Sequence, residues 1–329
     1  MHSSSLSCAA LLAALSLVAP ACLAAPAYQL VDLGPNTSAT SLNANANVLG
    51  ERNGKVARYF GGQWHSVPSV IAGAALNDAG QVAGTLMDKQ SSLATSAWWS
   101  KAAGAVEIAP LGTGESHAHA ISGNGTVVGT GILDPVWGSI YAFKYQDGKL
   151  TRLSCLVPTS GCDARGVNDA GQITGATQVP YSGSHAFLYD PTVGFWRELG
   201  TLGGRSSIGM AINAAGHVVG NADVADGVNH HAFFFDGTTM IDLGAPDGGS
   251  SFATALNDHD AVVGGMVDAA GTPSAFFYKG GKMHDLASLV DNAAGWTFVQ
   301  ATAINAKGQI AGNGLLDGVP HAFLLDKRN

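Results

Sequence analysis

The chain has 329 residues, with 16 Lys and Arg against 24 Asp and Glu and a formal net charge of -8. So thin and scattered a basic content excludes the positive patch that nucleic acid or an anionic membrane surface requires. Charged residues make up only 12% of the chain while glycine numbers 44, the balance of a compact, turn-rich β protein and not of a disordered one.

Residues 1–24 read as a secretory signal peptide. An apolar run from Leu6 to Leu23 is too short and too rich in Ala and Ser to span a membrane, and the small residues Ala24 and Ala25 follow it. Cleavage is expected between them, because Pro26 is a poor first residue. The segment before the run carries His2 but no Lys or Arg. A lipid anchor on Cys22 is the lesser reading, since it wants a larger residue than Ala19 three positions upstream. No later stretch reaches the 18 or more apolar residues of a membrane-spanning helix. Only Cys155 and Cys162 remain after cleavage, and an exported protein with such a pair is expected to join them in a disulfide. Closing so short a loop contributes about 2–3 kcal/mol on the chain-entropy estimate.

From residue 25 to 329 the chain repeats. A small residue, then Ile, Leu or Val, then Asn, two residues, Gly, one residue, Val or Ile, one residue and Gly recur from Ala75 to Gly84, Gly166 to Gly175, Ala211 to Gly220 and Ala303 to Gly312. Degenerate copies begin at Leu42 (with Asn47 read in place of the first Gly), at Ile121 and at Leu256 (with Asp260 in that place). The key positions 43, 77, 122, 168, 213, 257 and 305 are separated by 34, 45, 46, 45, 44 and 48 residues, which makes seven units.

Each unit has one internal grammar. Asn-x-x-Gly is a turn, because Asn bonds its own backbone two residues on and Gly supplies a positive φ. The apolar residues on either side are therefore the first two strands of a hairpin. About ten residues later comes an aromatic strand, such as Phe187-Leu188-Tyr189, and after a short turn a fourth strand, clearest as Ile241-Asp242-Leu243-Gly244. Four short strands per repeat predict an all-β fold, a seven-bladed β-propeller of four-stranded antiparallel blades. The blades fall near 39–70, 73–112, 117–156, 163–202, 208–246, 252–290 and 299–326. The last unit lacks a fourth strand, and Tyr28-Gln29-Leu30-Val31-Asp32-Leu33-Gly34 copies that strand with no unit in front of it. Residues 28–34 are thus expected to close the last blade and remove free edges from the join.

The His-Ala-Phe triplets at His185, His231 and His321, with the Asp-Leu-Gly strand and the Ile-Asn-x-x-Gly turn, resemble the bacterial extracellular repeat proteins of the HAF family over nearly all of residues 25–329. The resemblance implies an extracellular repeat protein and no common activity. The other four units depart from the His, with Val56, Ser96, Tyr141 and Ser274 at that position.

No nucleophile elbow, His-Glu-x-x-His helix, phosphate-binding loop or EF-hand loop is present in the sequence. The repeated His reads as a structural partner. His117 and His119 alternate on a predicted first strand, as two metal ligands do, but two residues make no site. In an antiparallel meander the Asn-x-x-Gly turns share one face, and the variable loops between strands two and three share the other with the crossovers. Asp88, Asp134, Asp223, Asp268 and Asp317 recur in those loops, with Trp137, Tyr181, Asp226 and His230, and Trp296 comes from a crossover. Carboxylates beside aromatic rings suit a sugar, and the same carboxylates suit calcium; Asp also simply starts turns.

The reading that follows is a secreted or periplasmic, non-enzymatic binding propeller. It is a monomer that recognises a glycan, surface polymer or protein on its variable-loop face and needs no cofactor. A carbohydrate-active hydrolase or lyase is the alternative, and a structural matrix protein the third.

Overall fold

The computed structural model describes residues 27–134, 139–155, 161–246 and 248–328. The expected signal peptide and Cys22 lie outside them. Seven antiparallel sheets follow one another around a ring, and they span 37–66, 72–107, 116–152, 162–200, 203–242, 250–285 and 296–327. The chain is a seven-bladed β-propeller. In the first six blades the strands pair in chain order, so the first strand is innermost and the fourth outermost. The seventh takes its fourth strand from Tyr28–Pro35, which lies antiparallel to Val319–Lys327 with Tyr28 opposite Lys327. Two residues of the preceding crossover, Val290–Asp291, add a parallel fifth strand that covers the outer edge of Tyr28–Gln29. Blade 1 is complete despite its short spacing, because Asn53-Gly54 and Gly61-Gly62 make tight turns between its outer strands.

The Asn-x-x-Gly turn works as its chemistry predicts. Asn213 Oδ1 accepts from the N–H of Ala215 and of His217, and Gly216 sits at φ 83°. In the degenerate turns the positive-φ position is held by Ala46 at 58° and Asp260 at 56°. Ala46, and not Asn47, therefore stands in the glycine place of the first unit, one residue before the polar side chain.

Each key Asn also reaches the next blade. The Nδ2 groups of Asn43, Asn77, Asn168, Asn213, Asn257 and Asn305 donate to the carbonyl oxygens of Asn77, Ser122, Asn213, Asn257, Asn305 and Asn43, at 2.9–3.2 Å. This belt encircles the mouth of the central channel on the turn face. It is interrupted where Ser122 replaces Asn, and there Asn124 bridges to Asp169 instead. The residues after the key position alternate small and acidic around the ring: Ala44, Asp78, Gly123, Asp169, Ala214, Asp258, Ala306. Each acid caps the turn before it, Asp78 accepting from Ala44 N–H at 2.7 Å and Asp258 from Ala214 N–H at 2.9 Å. A Cβ at Gly123 would lie 2.7 Å from Asp169 Oδ2, which explains the small residue there.

Every first strand bulges at one equivalent place, at Thr40, Ala74, His119, Arg165, Met210, Thr254 and Thr302. The bulge presses the first strand against the second motif glycine. A Cβ at Gly220 would stand 1.9 Å from the Ile208 carbonyl oxygen, and at Gly50 only 1.7 Å from that of Ser38. The glycine is required by this close approach.

The His-Ala-Phe triplet is a latch between blades. The His pairs with the acid of the fourth strand, His231 with Asp242 at 2.9 Å, His321 with Asp32 at 2.7 Å, and His185 with Glu198. The N–H of the following Ala donates to a hydroxyl on the first strand of the next blade, Ala186 to Ser207, Ala232 to Ser251 and Ala322 to Thr37. That hydroxyl donates in turn to the glycine carbonyl of the Asp/Glu-Leu-Gly strand, at Gly200, Gly244 and Gly34. The Phe is fully buried between blades.

Strand register corrects the alignment of two units lacking the His. Gly50 and Gly84 face Ala57 and Ala97, where Gly175 faces Phe187. Lys55 and Thr95 therefore take the His position in blades 1 and 2, and not Val56 and Ser96. The neighbouring aromatics Tyr59 and Trp98-Trp99 had drawn the match one residue forward. Leu49, Val56, Val67 and Val70 fill the space between these blades instead.

Candidate functional site

First strands run from the loop face to the turn face and second strands return, so strand starts and strand ends meet on the loop face around the channel. Across blades 4 to 6 they enclose a cavity of about 440 Å³. It is lined by the polar side chains of Asp163, Gln178, Asn221, Asp223 and His230 together with the apolar Ile140, Ile208 and Phe252.

Asp163 is the second residue of its strand, directly after Cys162. The disulfide to Cys155 fixes that strand start, with Cα atoms 5.6 Å apart. The Asp163 carboxylate receives Arg165 Nε at 2.5 Å and the Thr130 hydroxyl, while His119 Nε2 lies 3.6 Å away. Burial, reinforced by the Arg165 charge, holds His119 down at about 4 from an ordinary 6.5, so its imidazole is neutral at physiological pH. In blade 5 Asp223 spreads both oxygens: Oδ2 accepts the Ser206 N–H at 3.0 Å and Oδ1 pairs with His230 Nδ1 at 2.8 Å. The His230 ring leans over Phe252, 6.1 Å between centroids. Asn221 Oδ1 accepts the Ala253 N–H at 2.8 Å and so locks blade 5 to blade 6 beside the cavity.

Of the residues singled out in the sequence, the structure brings Asp223 and His230 together here. The others serve their own turns. Asp226 accepts from the N–H of Val228 and Asn229, Asp88 from Gln90 and Ser91, and Asp268 from Ala270 and Thr272. These backbone donors hold all three carboxyls below the usual carboxylate range. Asp317, at φ 50°, and Gly318 form the two-residue turn between the second and third strands of blade 7. Asp134 ends a strand opposite Ser139. Tyr181 is fully exposed in a tight turn at φ 66°. Trp296 is not a free platform: it stacks on Phe298 at 5.6 Å and meets His321 and Phe323 edge-on, packing blade 7. Trp137 lies outside the described residues. His117 and His119 face different carboxylates: His117 Nε2 lies 3.7 Å from Glu115, and His119, at the bulge, lies 3.6 Å from Asp163. Among the described residues, no group of three or more His, Cys, Asp or Glu is placed to hold a metal ion.

Sequence reasoning missed Asp163, Asn221, Gln178 and Phe252. They come from inner strands, not loops, and their one signal was an unusual polar or aromatic residue in a strand otherwise small and apolar. A larger cavity, about 550 Å³, lies on the outside of the blade 7 to blade 1 join. Turn backbone such as Gly34, Asn36 and Asn53 makes much of its wall, and the Trp64 indole N–H there is already donated to the Leu33 carbonyl at 2.8 Å.

No family model and no curated protein matches the chain. Solved structures do. The β-propeller domain of the Trilobed protease from Pyrococcus furiosus, described as having an open velcro topology, is similar at 11% identity and TM-score 0.55, over 76% of this chain and 81% of that one. The Pyrococcus horikoshii acylaminoacyl peptidase is similar at 10% identity and TM-score 0.54, over 76% of this chain and 45% of that one. The extracellular domain of a protein described as a hybrid two-component system from B. thetaiotaomicron is similar at 11% identity and TM-score 0.55, over 91% and 39%. The chain thus spans less than half the length of the latter two. At these identities the likeness is one of fold.

Proposed function

We propose that the chain is an exported, HAF-type binding propeller that takes a neutral or weakly polar glycan in the loop-face cavity of blades 4 to 6. The observation that carries this reading is the cavity itself. Two carboxylates and two amide side chains line it together with Phe252 and Ile208, and sugars offer both hydroxyl groups and apolar C–H faces to such a lining. The carboxylates are oriented before any ligand arrives, Asp163 by Arg165 and Asp223 by Ser206 and His230, which lowers the ordering cost of binding. The Cys155–Cys162 disulfide supports residence in an oxidising compartment, and the apolar segment 6–23 supports the export signal.

Thermal melting against a panel of soluble neutral glycans tests the reading. A ligand at 100 times its dissociation constant stabilises the native state by about 2.7 kcal/mol, which a melting curve resolves. The expected shift disappears in Phe252→Ala and in Asp223→Asn, the second of which keeps the local packing. A shift that survives both variants places the glycan elsewhere, and no shift across the panel overturns the glycan.

A further inference from the structure

On the turn face, between blades 6 and 7, a cleft of about 340 Å³ opens beside the N-terminal strand. Its floor is apolar, with Tyr28, Phe277 and Ile304, and Tyr28 and Phe277 meet edge to face at 6.2 Å. Its rim carries Lys279, Lys307 and Lys327 together with His259 and His284. Three of the chain's nine lysines therefore converge on one opening in a protein of net charge -8.

The placement follows from the fold. Lys279 and Lys327 end the third strands of blades 6 and 7, and Lys307 sits in the Asn-x-x-Gly turn between them. The Lys327 stem crosses Gly308, where a Cβ would lie 3.3 Å from its Cδ, so its ammonium group is carried over the Lys307 turn. Among the described residues no Asp or Glu lines the cleft. The acids adjacent in sequence are engaged elsewhere: Asp258 with Ala214 N–H, Asp260 with Asn213 and His217, Asp285 with Ala287 N–H, and Asp326 with Gln309. Like charges gathered this way repel one another, and a bound anion relieves that repulsion. Burial pushes the Tyr28 hydroxyl up to about 12, so the cleft floor stays uncharged at any physiological pH.

We propose that this cleft is a second binding site, on the face opposite the loop-face cavity, for an oxyanion carried on an apolar ring or chain. Ammonium groups recognise carboxylate and phosphate oxygens through charge-assisted hydrogen bonds, while the floor receives the apolar body.

The test is calorimetric titration of the purified protein with phenyl phosphate, phenylacetate, inorganic phosphate and benzyl alcohol. Saturable one-to-one binding is expected for the aryl anions, with inorganic phosphate weaker and benzyl alcohol silent. Losing one charge-assisted bond weakens binding about tenfold or more, so Lys307→Ala and Lys327→Ala should each do so. Both side chains are at the surface, and melting curves of the variants check that folding is intact. Asp223→Asn should leave these titrations unchanged, which separates this site from the loop-face cavity. The stronger of the two aryl anions identifies the oxyanion. Failure of both to saturate, or equal binding by a Lys279→Ala/Lys307→Ala/Lys327→Ala protein, overturns the proposal.

Discussion

The Nδ2 group of Asn305 donates to the carbonyl oxygen of Asn43 at 3.1 Å, joining turns 262 residues apart. It is the same bond that links neighbouring blades elsewhere, so the seam between the two ends of the ring is held as an ordinary junction. Asn305→Ala should destabilise by about 1–3 kcal/mol, because it removes the bond across the seam and takes from the Lys307 and Gln309 N–H groups the Oδ1 that accepts them. Ser122→Asn should complete the belt and stabilise by about 1 kcal/mol, the net value of one such bond. Thermal or denaturant unfolding reads both.

Ser207 is the hinge of the latch between blades 4 and 5, accepting from Ala186 N–H and donating to Gly200. Ser207→Ala takes their partner from the buried Ala186 N–H and the half-buried Gly200 carbonyl, and should cost about 2 kcal/mol. His185→Ala should cost less, about 1 kcal/mol or below, because its partner Glu198 keeps 40% of its side chain exposed. Equal losses would mean that the ion pair, not the hydroxyl, holds the blades.

The motif glycines should separate by mechanism. Gly220→Ala meets a backbone oxygen that cannot move away, and about 2–3 kcal/mol is expected from overpacking. Gly171→Ala, at φ 76° and with only an ordinary contact to Pro191 Cγ at 3.4 Å, should cost about 1–2 kcal/mol. Ala46→Gly should stabilise by about 0.5–1 kcal/mol, the left-handed penalty relieved less the added freedom of the unfolded chain.

Burial of His119 gives stability a pH dependence of known sign. Its folded value is depressed to about 4, so below 6.5 the unfolded chain binds a proton that the folded chain refuses. Its favourable contribution is complete above pH 6.5 and is lost as pH falls toward 4, on the order of 3 kcal/mol in all. Denaturant midpoints from pH 7.5 to 4 should fall more steeply in the parent than in His119→Gln.

Reduction of Cys155–Cys162 should lower stability by about 2–3 kcal/mol through the unfolded chain. Because Cys162 precedes Asp163, reduction should also weaken any ligand of the loop-face cavity while leaving the lysine cleft unaffected.

The architecture was legible because the Asn-x-x-Gly turn and the buried Phe after His-Ala recur with local chemistry that fixes them in place. The details that slipped did so by one residue, at Asn47, Val56 and Ser96, where side-chain identity and strand register point to different neighbours. Asp88, Asp226 and Asp268 drew attention as acids in variable loops, but a carboxylate that caps its own turn looks the same in sequence as one that waits for a ligand. The cavity was hidden for the opposite reason. Asp163, Asn221 and Phe252 belong to three different units, and only the ring brings them together.

The pairing of Tyr28–Pro35 with Val319–Lys327 also sets an order of events. A ribosome makes Tyr28–Pro35 before any other strand of the ring and its partner after all the others. The first strand synthesised is therefore the last to find its place. Until then blade 7 has an open edge, and completion of the ring must wait on the longest loop closure in the chain, the kind of contact that folds slowly.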